Sequence, residues 1–296
     1  MNKFEYIVKE SDVEIPIKEL IRQNFSFSSR TITKLKHNDC ILVNGELVKL
    51  YKTPSFGDVI SINFPEEHNS FVPENIPIIP VFEDNDLLII NKPSGYVVHP
   101  TKGHPTGTIA NGLVKYIMDT DQSFKVRFVN RLDMDTSGLL IIAKSAHCQG
   151  ELSKQMKSGE VIKKYIAVIK GTPEDDTGTI DLPIDRPDPE SIRRKVSPSG
   201  HPSITNYTVL ERFKHGYSLV ELLLETGRTH QIRVHMSHIG YPIVGDYLYG
   251  GENVMLIERQ ALHASFLSFK HPITGEAVEL SAEMPKDILD LIGKLK

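Results

Sequence analysis

Arg131 and Asp133 are the two residues of this chain whose types and spacing most readily support chemistry. They precede a short polar turn and the apolar residues 139–143, which predict a buried strand. In an extended segment, side chains two residues apart point to the same side, so the guanidinium and the carboxylate would share one surface. A carboxylate held there can act as a base or as a nucleophile. The alternative is a solvated ion pair, which contributes little to stability and which the spacing favours when taken alone.

The composition indicates a globular protein with no export signal. The chain has 296 residues, 40% hydrophobic and 24% charged, enough for one large core and a smaller domain. The formal net charge of -4 means that RNA binding would need a locally basic face. Cys40 and Cys148 belong to no paired-cysteine motif, and no stretch resembles a signal peptide or a membrane span. We therefore expect a cytoplasmic protein without a membrane partner.

Residues 15–62 have the pattern of a small domain. Apolar spacing predicts two helices, the second capped by Ser28 or Ser29, and Asn44-Gly45 between apolar residues predicts a hairpin. The segment carries seven Lys and Arg residues against four Asp and Glu residues. An exposed helix face without function would be an equally good reading of this charge.

The basic residues of the second predicted helix recur at helical spacing, as Arg30, Lys34 and His37. Together with Val43-Asn44-Gly45 and Gly57-Asp58-Val59-Ile60, the segment resembles the small alpha-L RNA-binding domain shared with a ribosomal small-subunit protein. That resemblance implies RNA docking through phosphate contacts, with Arg30 and Lys34 as candidates.

Residues 63–80 are rich in proline and glutamate and have little apolar periodicity, which predicts a semi-extended linker. The predicted organisation is therefore a domain at residues 1–62, a linker at 63–80 and a larger domain at 81–296.

Within the larger domain, alternation predicts a strand at residues 163–171 that carries Tyr165, whose ring could equally be a core residue. Further along, Thr229 is the predicted cap of a helix with a buried stripe that ends at Gly240 and leaves Arg233 off the stripe.

Residues 172–203 are predicted to be loop-rich and contain a basic cluster that is a candidate phosphate contact: Arg186, Arg193, Arg194 and Lys195. His230, His235 and His238 suggest a metal site, but they lack the HExxH arrangement, so no metal is expected.

Three segments in order resemble the motifs of RluA-type RNA pseudouridine synthases. They are Asn-Arg-Leu-Asp-Met-Asp-Thr-Ser-Gly around Asp133, Lys-Tyr-Ile-Ala-Val around Tyr165, and Thr-Gly-Arg-Thr-His-Gln-Ile-Arg-Val-His, which contains Arg228 and Arg233. Lys92-Pro93-Ser94-Gly95 matches an ancillary motif of the family. The two resemblances together imply an α+β chain: an alpha-L domain, then a catalytic domain with a mixed, mainly antiparallel sheet flanked by helices and loops.

The resemblance implies that Asp133 is the essential carboxylate in converting uridine to pseudouridine without a cofactor. Arg233 is then the cation beside it, Tyr165 stacks on the flipped base and Arg131 takes the place that the base vacates. Arg228, with Arg30 and Lys34, is expected to contact RNA. Asn130 stands where many relatives have a histidine, and it cannot titrate near neutral pH.

The implied partner is RNA, with ribosomal RNA favoured over transfer RNA, and the implied state is a monomer. The resemblance allows Asp133 to act either as a nucleophile or as a base. The competing hypothesis is a catalytically silent RNA-binding factor in ribosome assembly, and a third is a metal-dependent hydrolase built on the histidines.

Overall fold

The computed structural model describes residues 3–25, 27, 29–63, 69–186, 188, 190–250 and 256–296, without the side chains of Lys3 and Arg30. The chain divides into two compact units. The smaller unit comprises residues 1–70 with 120–125, and the larger comprises 71–119 with 126–296. The division after Ser70 falls inside the segment predicted to be a linker.

The smaller unit pairs a four-stranded antiparallel sheet with two helices. Its strands have the order β1-β4-β2-β3. Its elements are β1 (Lys3–Ile7), α1 (Ile17–Phe25), α2 (Ser29–His37), β2 (Ile41–Val43), β3 (Glu46–Leu47) and β4 (Val59–Asn63). The two helices and the hairpin at Asn44-Gly45 are confirmed, and both turn residues have the positive φ that such a turn requires. β1 was not predicted, although its charged and aromatic residues alternate with the period of a strand, Lys3-Phe4-Glu5-Tyr6. Ser28 lies outside the described residues.

The larger unit is built on a nine-stranded sheet. Its path runs β5-β6-β7-β14-β8-β13-β12-β9, with β15 paired to β14, while β10 and β11 form a separate pair. The strands are β5 (Pro80–Glu83), β6 (Leu87–Lys92), β7 (Ser137–Ala143), β8 (Ile162–Lys170), β9 (Thr177–Asp181), β10 (Ile184–Asp185), β11 (Lys195–Val196), β12 (Ile204–Phe213), β13 (Tyr217–Leu224), β14 (Leu262–Lys270) and β15 (Ala277–Ser281). The helices are α3 (Ile109–Asp119), α4 (Ala146–Ser158), α5 (Gln231–His238) and α6 (Lys286–Leu295).

β7 is the strand that positions the Arg131–Asp133 segment. All seven of its residues are buried, as the apolar run predicts for a central strand. It pairs antiparallel with β6 and parallel with β14, and the other pairs of the sheet among the described strands are antiparallel. The sheet is therefore mixed and mainly antiparallel, as expected.

Residues 71–79 have no regular structure, yet they pack on the larger unit and do not cross open solvent. The buried Asn111 of α3 accounts for this, because its amide donates to the carbonyl of Val72 and its own carbonyl accepts from the N–H of Glu74. The loop-rich segment 172–203 contains more order than predicted, since β9, β10 and β11 form within it. No helix in the described ranges is both long and apolar enough to cross a membrane.

Gly138 provides a test of the contact between β7 and β14. Its φ is +114°, and an added Cβ would lie 2.2 Å from the carbonyl oxygen of Ala264 in β14. We expect Gly138→Ala to lower the stability of the larger unit by at least about 3 kcal/mol, because strand separation and backbone strain add. Urea unfolding monitored by circular dichroism measures this. Gly150→Ala in α4 is the matched control: its Cβ meets nothing within 4 Å, so it should be neutral or slightly stabilising.

Candidate active site

Asn130 fixes the start of the segment that carries Asp133. Its side-chain oxygen accepts from the N–H of Ile141 at 2.8 Å, and its amide nitrogen donates to the carbonyl of Leu139 at 3.3 Å. The amide thus occupies hydrogen-bonding positions along the edge of β7. The following residues alternate, with Leu132 buried between an exposed Arg131 and a partly buried Asp133. Asn130 therefore has a structural role that does not depend on titration.

The other end of the segment is held by two buried cations. Lys92 is fully buried, and its ammonium donates to the carbonyl oxygens of Met134, Pro93 and Tyr96 at 2.8, 2.8 and 3.0 Å. Arg259 donates to the carbonyl of Asp135 at 3.0 Å. The two backbone carbonyls that directly follow Asp133 are thereby fixed. Burial lowers the pKa of Lys92 to about 7, opposed by the charge of Asp135.

Arg233 faces Asp133 from α5. Its Nη1 donates to Oδ2 of Asp133 at 3.0 Å, while its Nε and Nη2 donate to the two carboxylate oxygens of Asp246 at 2.7 and 2.9 Å. The guanidinium is 5% exposed and Asp246 is fully buried. Burial opposes the charge of Arg233, but the hydrogen bonds and charge of Asp246, with Asp133, raise its pKa overall. The arginine therefore remains a permanent cation beside the carboxylate.

The start of α5 differs from the prediction. The N-cap is His230 in the left-handed conformation, with φ 58°, and not Thr229. Gln231 explains the difference, because its side-chain oxygen accepts from the N–H of Arg228 and from the hydroxyl of Thr226. Arg233 is among the buried residues of the helix. Although it was predicted to lie off the buried stripe, it does not face solvent. The stop at Gly240 is confirmed by its φ of +89°.

Tyr165 lies in β8, opposite a register irregularity in β14. Bulges of this kind redirect side chains next to functional sites. The side chain is 8% exposed and lines a cavity of about 60 Å³ together with Asp133. Burial, followed by the negative charge of Asp133, raises the pKa of its hydroxyl, which therefore stays protonated. An uncharged aromatic ring faces the carboxylate.

The predicted site residues of the larger unit share one location. The same cavity is lined by Arg131, Asp133, Tyr165, Arg228 and Arg233. Arg131 and Asp133 also line two larger cavities, of about 560 and 670 Å³. Among the described residues Arg131 forms no ion pair with Asp133, which pairs with Arg233. The alternative of a solvated Arg131–Asp133 pair is therefore wrong.

Arg30 and Lys34 belong to α2 of the smaller unit. Lys34 is exposed, and the side chain of Arg30 lies outside the described structure. The basic cluster of the loop-rich segment lines a separate cavity of about 410 Å³ through Arg193, Arg194 and Lys195.

The three histidines considered for a metal have different surroundings. Both ring nitrogens of His235 are occupied by hydrogen bonds, to the hydroxyl of Thr205 and the carbonyl of Leu182. His238 is exposed, and His230 faces Asp133. They do not form one ligand set.

Another group, Asp84, Asp86 and His271, has possible ligand atoms within 4.8 Å of one another. Nδ1 of His271 accepts the N–H groups of Ile273 and Thr274 at 3.3 and 3.1 Å, so the proton of the neutral ring is on Nε2. Nε2 lies 2.9 Å from a carboxylate oxygen of Asp84 but forms no hydrogen bond among the described residues, and a protonated nitrogen cannot bind a metal. This arrangement fits a histidine–aspartate contact better than a metal site.

Two residues that contact the site were not predicted: Asp246, which pairs with Arg233, and Tyr249, whose hydroxyl oxygen lies 2.9 Å from Nδ1 of His230. His230 itself was considered only as a possible metal ligand. Asp246 follows Arg233 by 13 residues in the chain. A buried arginine requires a carboxylate partner, so this neighbouring aspartate was the available signal.

Comparison with known proteins gives the family. The RNA pseudouridylate synthase family model matches residues 86–238. An uncharacterised RNA pseudouridine synthase of Bacillus subtilis is 39% identical over 301 residues, covering 100% of this chain and 99% of the relative. Ribosomal large subunit pseudouridine synthase D of Haemophilus ducreyi is 39% identical, with 94% and 90% covered. The solved structure of human RNA pseudouridylate synthase domain containing 1 has a TM-score of 0.58 at 30% identity and covers 70% of this chain and 83% of its own.

The chain therefore belongs to the RNA pseudouridylate synthase family, of the RluA type. It is an RNA pseudouridine synthase, an isomerase that acts on uridine in RNA, and the prediction of an enzyme is confirmed.

Lys92 gives a pH-dependent test of how the turn after Asp133 is held. Its pKa is lowered from 10.5 to about 7, so between these values the unfolded chain binds one proton more than the folded chain. Stability should therefore rise with pH in this window, by about 2 kcal/mol between pH 7 and 9 for this residue. Lys92→Met should lack that rise. Urea unfolding at pH 7, 8 and 9 measures the difference from wild type.

The control for Lys92→Met is Lys170→Met at an exposed position of β8. It should show the same pH dependence as wild type. A rise in stability that survives in Lys92→Met would show that another group titrates.

Proposed function

We propose that the enzyme isomerises specific uridines of structured RNA, above all large-subunit ribosomal RNA, with Asp133 as the essential carboxylate and with the target base flipped out of its stack. One observation carries the assignment of Asp133: the buried Arg233 donates to it at 3.0 Å while being held by Asp246 on its other edge. A guanidinium fixed in this way holds the carboxylate in one orientation at the lining of the cavity.

The two oxygens of Asp133 have different environments. Oδ2 accepts from Arg233, and Nε2 of His230 lies 3.7 Å from it. Within the described ranges Oδ1 has no hydrogen-bond partner, and Asp133 lines the cavity. Oδ1 is therefore the oxygen available to react with the ribose, either by attacking C1' or by taking a proton from the sugar.

The overall reaction needs no oxidant, reductant or energy source. The bond from N1 of uracil to C1' breaks, the base turns, and C5 forms the new bond to C1'. The hydrogen on C5 leaves as a proton, and a proton is gained at N1. Because atoms and electrons balance within the substrate and water, we propose no cofactor and no metal.

Base flipping requires groups that replace stacking in the RNA. Tyr165 presents a buried neutral ring to the cavity, and a stacked base contributes about 1–3 kcal/mol, which is comparable to the cost of extrusion. Arg131 is exposed and lines all three cavities around Asp133, a position suited to filling the space left in the RNA. Arg228 is exposed near the same cavity and is proposed to contact phosphate.

The proposed RNA class rests on the relatives and on the smaller unit. Relatives named ribosomal large subunit pseudouridine synthase D are 38–40% identical to this chain over at least 85% of its length. We propose that the smaller unit is an alpha-L RNA-binding domain that docks ribosomal RNA through Arg30 and Lys34 of α2. We also propose a cytoplasmic monomer, which cell fractionation and light scattering would test.

Asp133→Asn tests the proposed chemistry. The substitution keeps the shape but removes the charge, so release of tritium from C5-labelled uridine in RNA should fall at least about 1,000-fold. RNA affinity and the unfolding temperature should stay near wild type, because Asp133 is at the cavity and not in the core. Full activity of Asp133→Asn would refute the assignment.

A double variant, Arg30→Glu with Lys34→Glu, tests the proposed docking. It should lower kcat/KM for large-subunit ribosomal RNA by about tenfold or more through KM, because each lost phosphate contact removes salt-dependent affinity. A short RNA hairpin that contains only the target uridine should be modified as by wild type. The tritium-release assay with both substrates, at two salt concentrations, measures this. Equal loss on both substrates, or no loss on either, would contradict docking by α2.

A further inference from the structure

His230 lies between Tyr249 and Asp133 at the start of α5. Its Nδ1 is 2.9 Å from the hydroxyl oxygen of Tyr249, and its Nε2 is 3.7 Å from Oδ2 of Asp133. Its side chain is 14% exposed and lines the same cavity as Asp133 and Tyr165. Its backbone has the left-handed φ of 58°, a conformation that surrounding structure must stabilise and that is frequent at functional sites.

The hydrogen bonds of Tyr249 determine which nitrogen of His230 carries the proton. The backbone N–H of Arg194 donates to the hydroxyl oxygen of Tyr249 at 2.9 Å. The hydroxyl proton of the buried Tyr249 then needs an acceptor, and among the described residues Nδ1 of His230 is the acceptor that it meets. If Nδ1 accepts, the proton of the neutral ring is on Nε2.

We infer that His230 is a neutral hydrogen-bond donor, with its Nε2–H directed at the Asp133 carboxylate, and that Tyr249 is the positioning residue that fixes this tautomer. The inference rests on the proposed role of Asp133. His230 then acts on the same oxygen as Arg233 and does not serve as a base. The distance of 3.7 Å from Nε2 to Oδ2 is longer than a hydrogen bond. A small movement would bring the donor to Oδ2 or to a substrate oxygen beside it.

The surroundings of His230 agree with a neutral ring. Burial lowers the pKa of the His230 ring, while the charge of Asp133 raises it. The charges of Arg233 and Arg194 lower the pKa further, and the charge of Asp246 raises it more weakly. The ring of Tyr249 also faces Arg233, whose guanidinium carbon is 5.1 Å from its centroid. The hydroxyl of Tyr249 can therefore be removed without removing the ring that packs on the arginine.

Nuclear magnetic resonance of ¹⁵N-histidine-labelled full-length protein at pH 7.5 tests the tautomer directly. The signals of His230 are assigned by their absence in His230→Gln. We expect a neutral ring protonated at Nε2 in wild type and a mixture of both tautomers in Tyr249→Phe. A ring protonated at Nδ1, a charged ring, or no change in Tyr249→Phe overturns the inference. The experiment does not depend on activity, so it stands even if Asp133 proves dispensable.

Kinetics test the donor. Gln at position 230 extends an N–H group to the position of Nε2, whereas Asn is too short, although Asn tolerates the left-handed backbone better. His230→Gln should keep kcat within about threefold of wild type, and His230→Asn should lose about tenfold, as expected for one hydrogen bond. The matched control is His215→Gln, an exposed histidine with a similar φ of 64°, which reports the backbone strain alone.

The order of the two variants decides the outcome. Unfolding temperatures identify a loss caused by misfolding, and His215→Gln gives the size expected from strain. If His230→Asn is as active as His230→Gln, or more active, the donor role is wrong. If Asp133→Asn is active while His230 has the expected tautomer, the proposed function fails and the assignment of the tautomer stands.

Discussion

The site depends on one buried arginine shared between two carboxylates. Arg233 gives two hydrogen bonds to Asp246, which is fully buried, and one to Asp133, which lines the cavity. A buried guanidinium without partners would be strongly destabilising, so the pairing with Asp246 makes the cation tolerable in the core. The third hydrogen bond, to Asp133, is made at the lining of the cavity. The orientation of Asp133 is therefore determined by an interaction centred on a different carboxylate.

The rigidity of the Asp133 segment comes from backbone contacts on both sides. Asn130 bonds along the edge of β7, and Lys92 and Arg259 hold the carbonyls of Met134 and Asp135. β7 itself is buried along its whole length and is joined to β14 through the close contact at Gly138. The carboxylate that we propose as catalytic must be placed accurately to be useful, and here its position is set by contacts with strands and not by a free loop.

Two of these anchors, Lys92 and Arg259, are charged groups that a hydrophobic core would normally exclude. Lys92 is fully buried, and its three carbonyl acceptors replace the water that an ammonium would have in solution. The cost appears in its lowered pKa, which makes the fold itself sensitive to pH near neutrality. The same constraint operates at His230, where burial and the hydroxyl of Tyr249 favour a neutral ring.

The sequence by itself determined the element types over most of the chain and the residues that carry the family motifs. Apolar spacing located β7, β8 and the two helices of the smaller unit, because a buried face imposes its period on the sequence. Residue patterns did not determine the partners of the site: Asp246 bonds to Arg233 and Tyr249 contacts His230 across the fold. The place of Arg233 beside Asp133 was implied only by the family resemblance. The left-handed His230 in place of the Thr229 cap also depends on Gln231, which bonds back across the turn. Local periodicity contains no information on such contacts, so only the tertiary structure decided them.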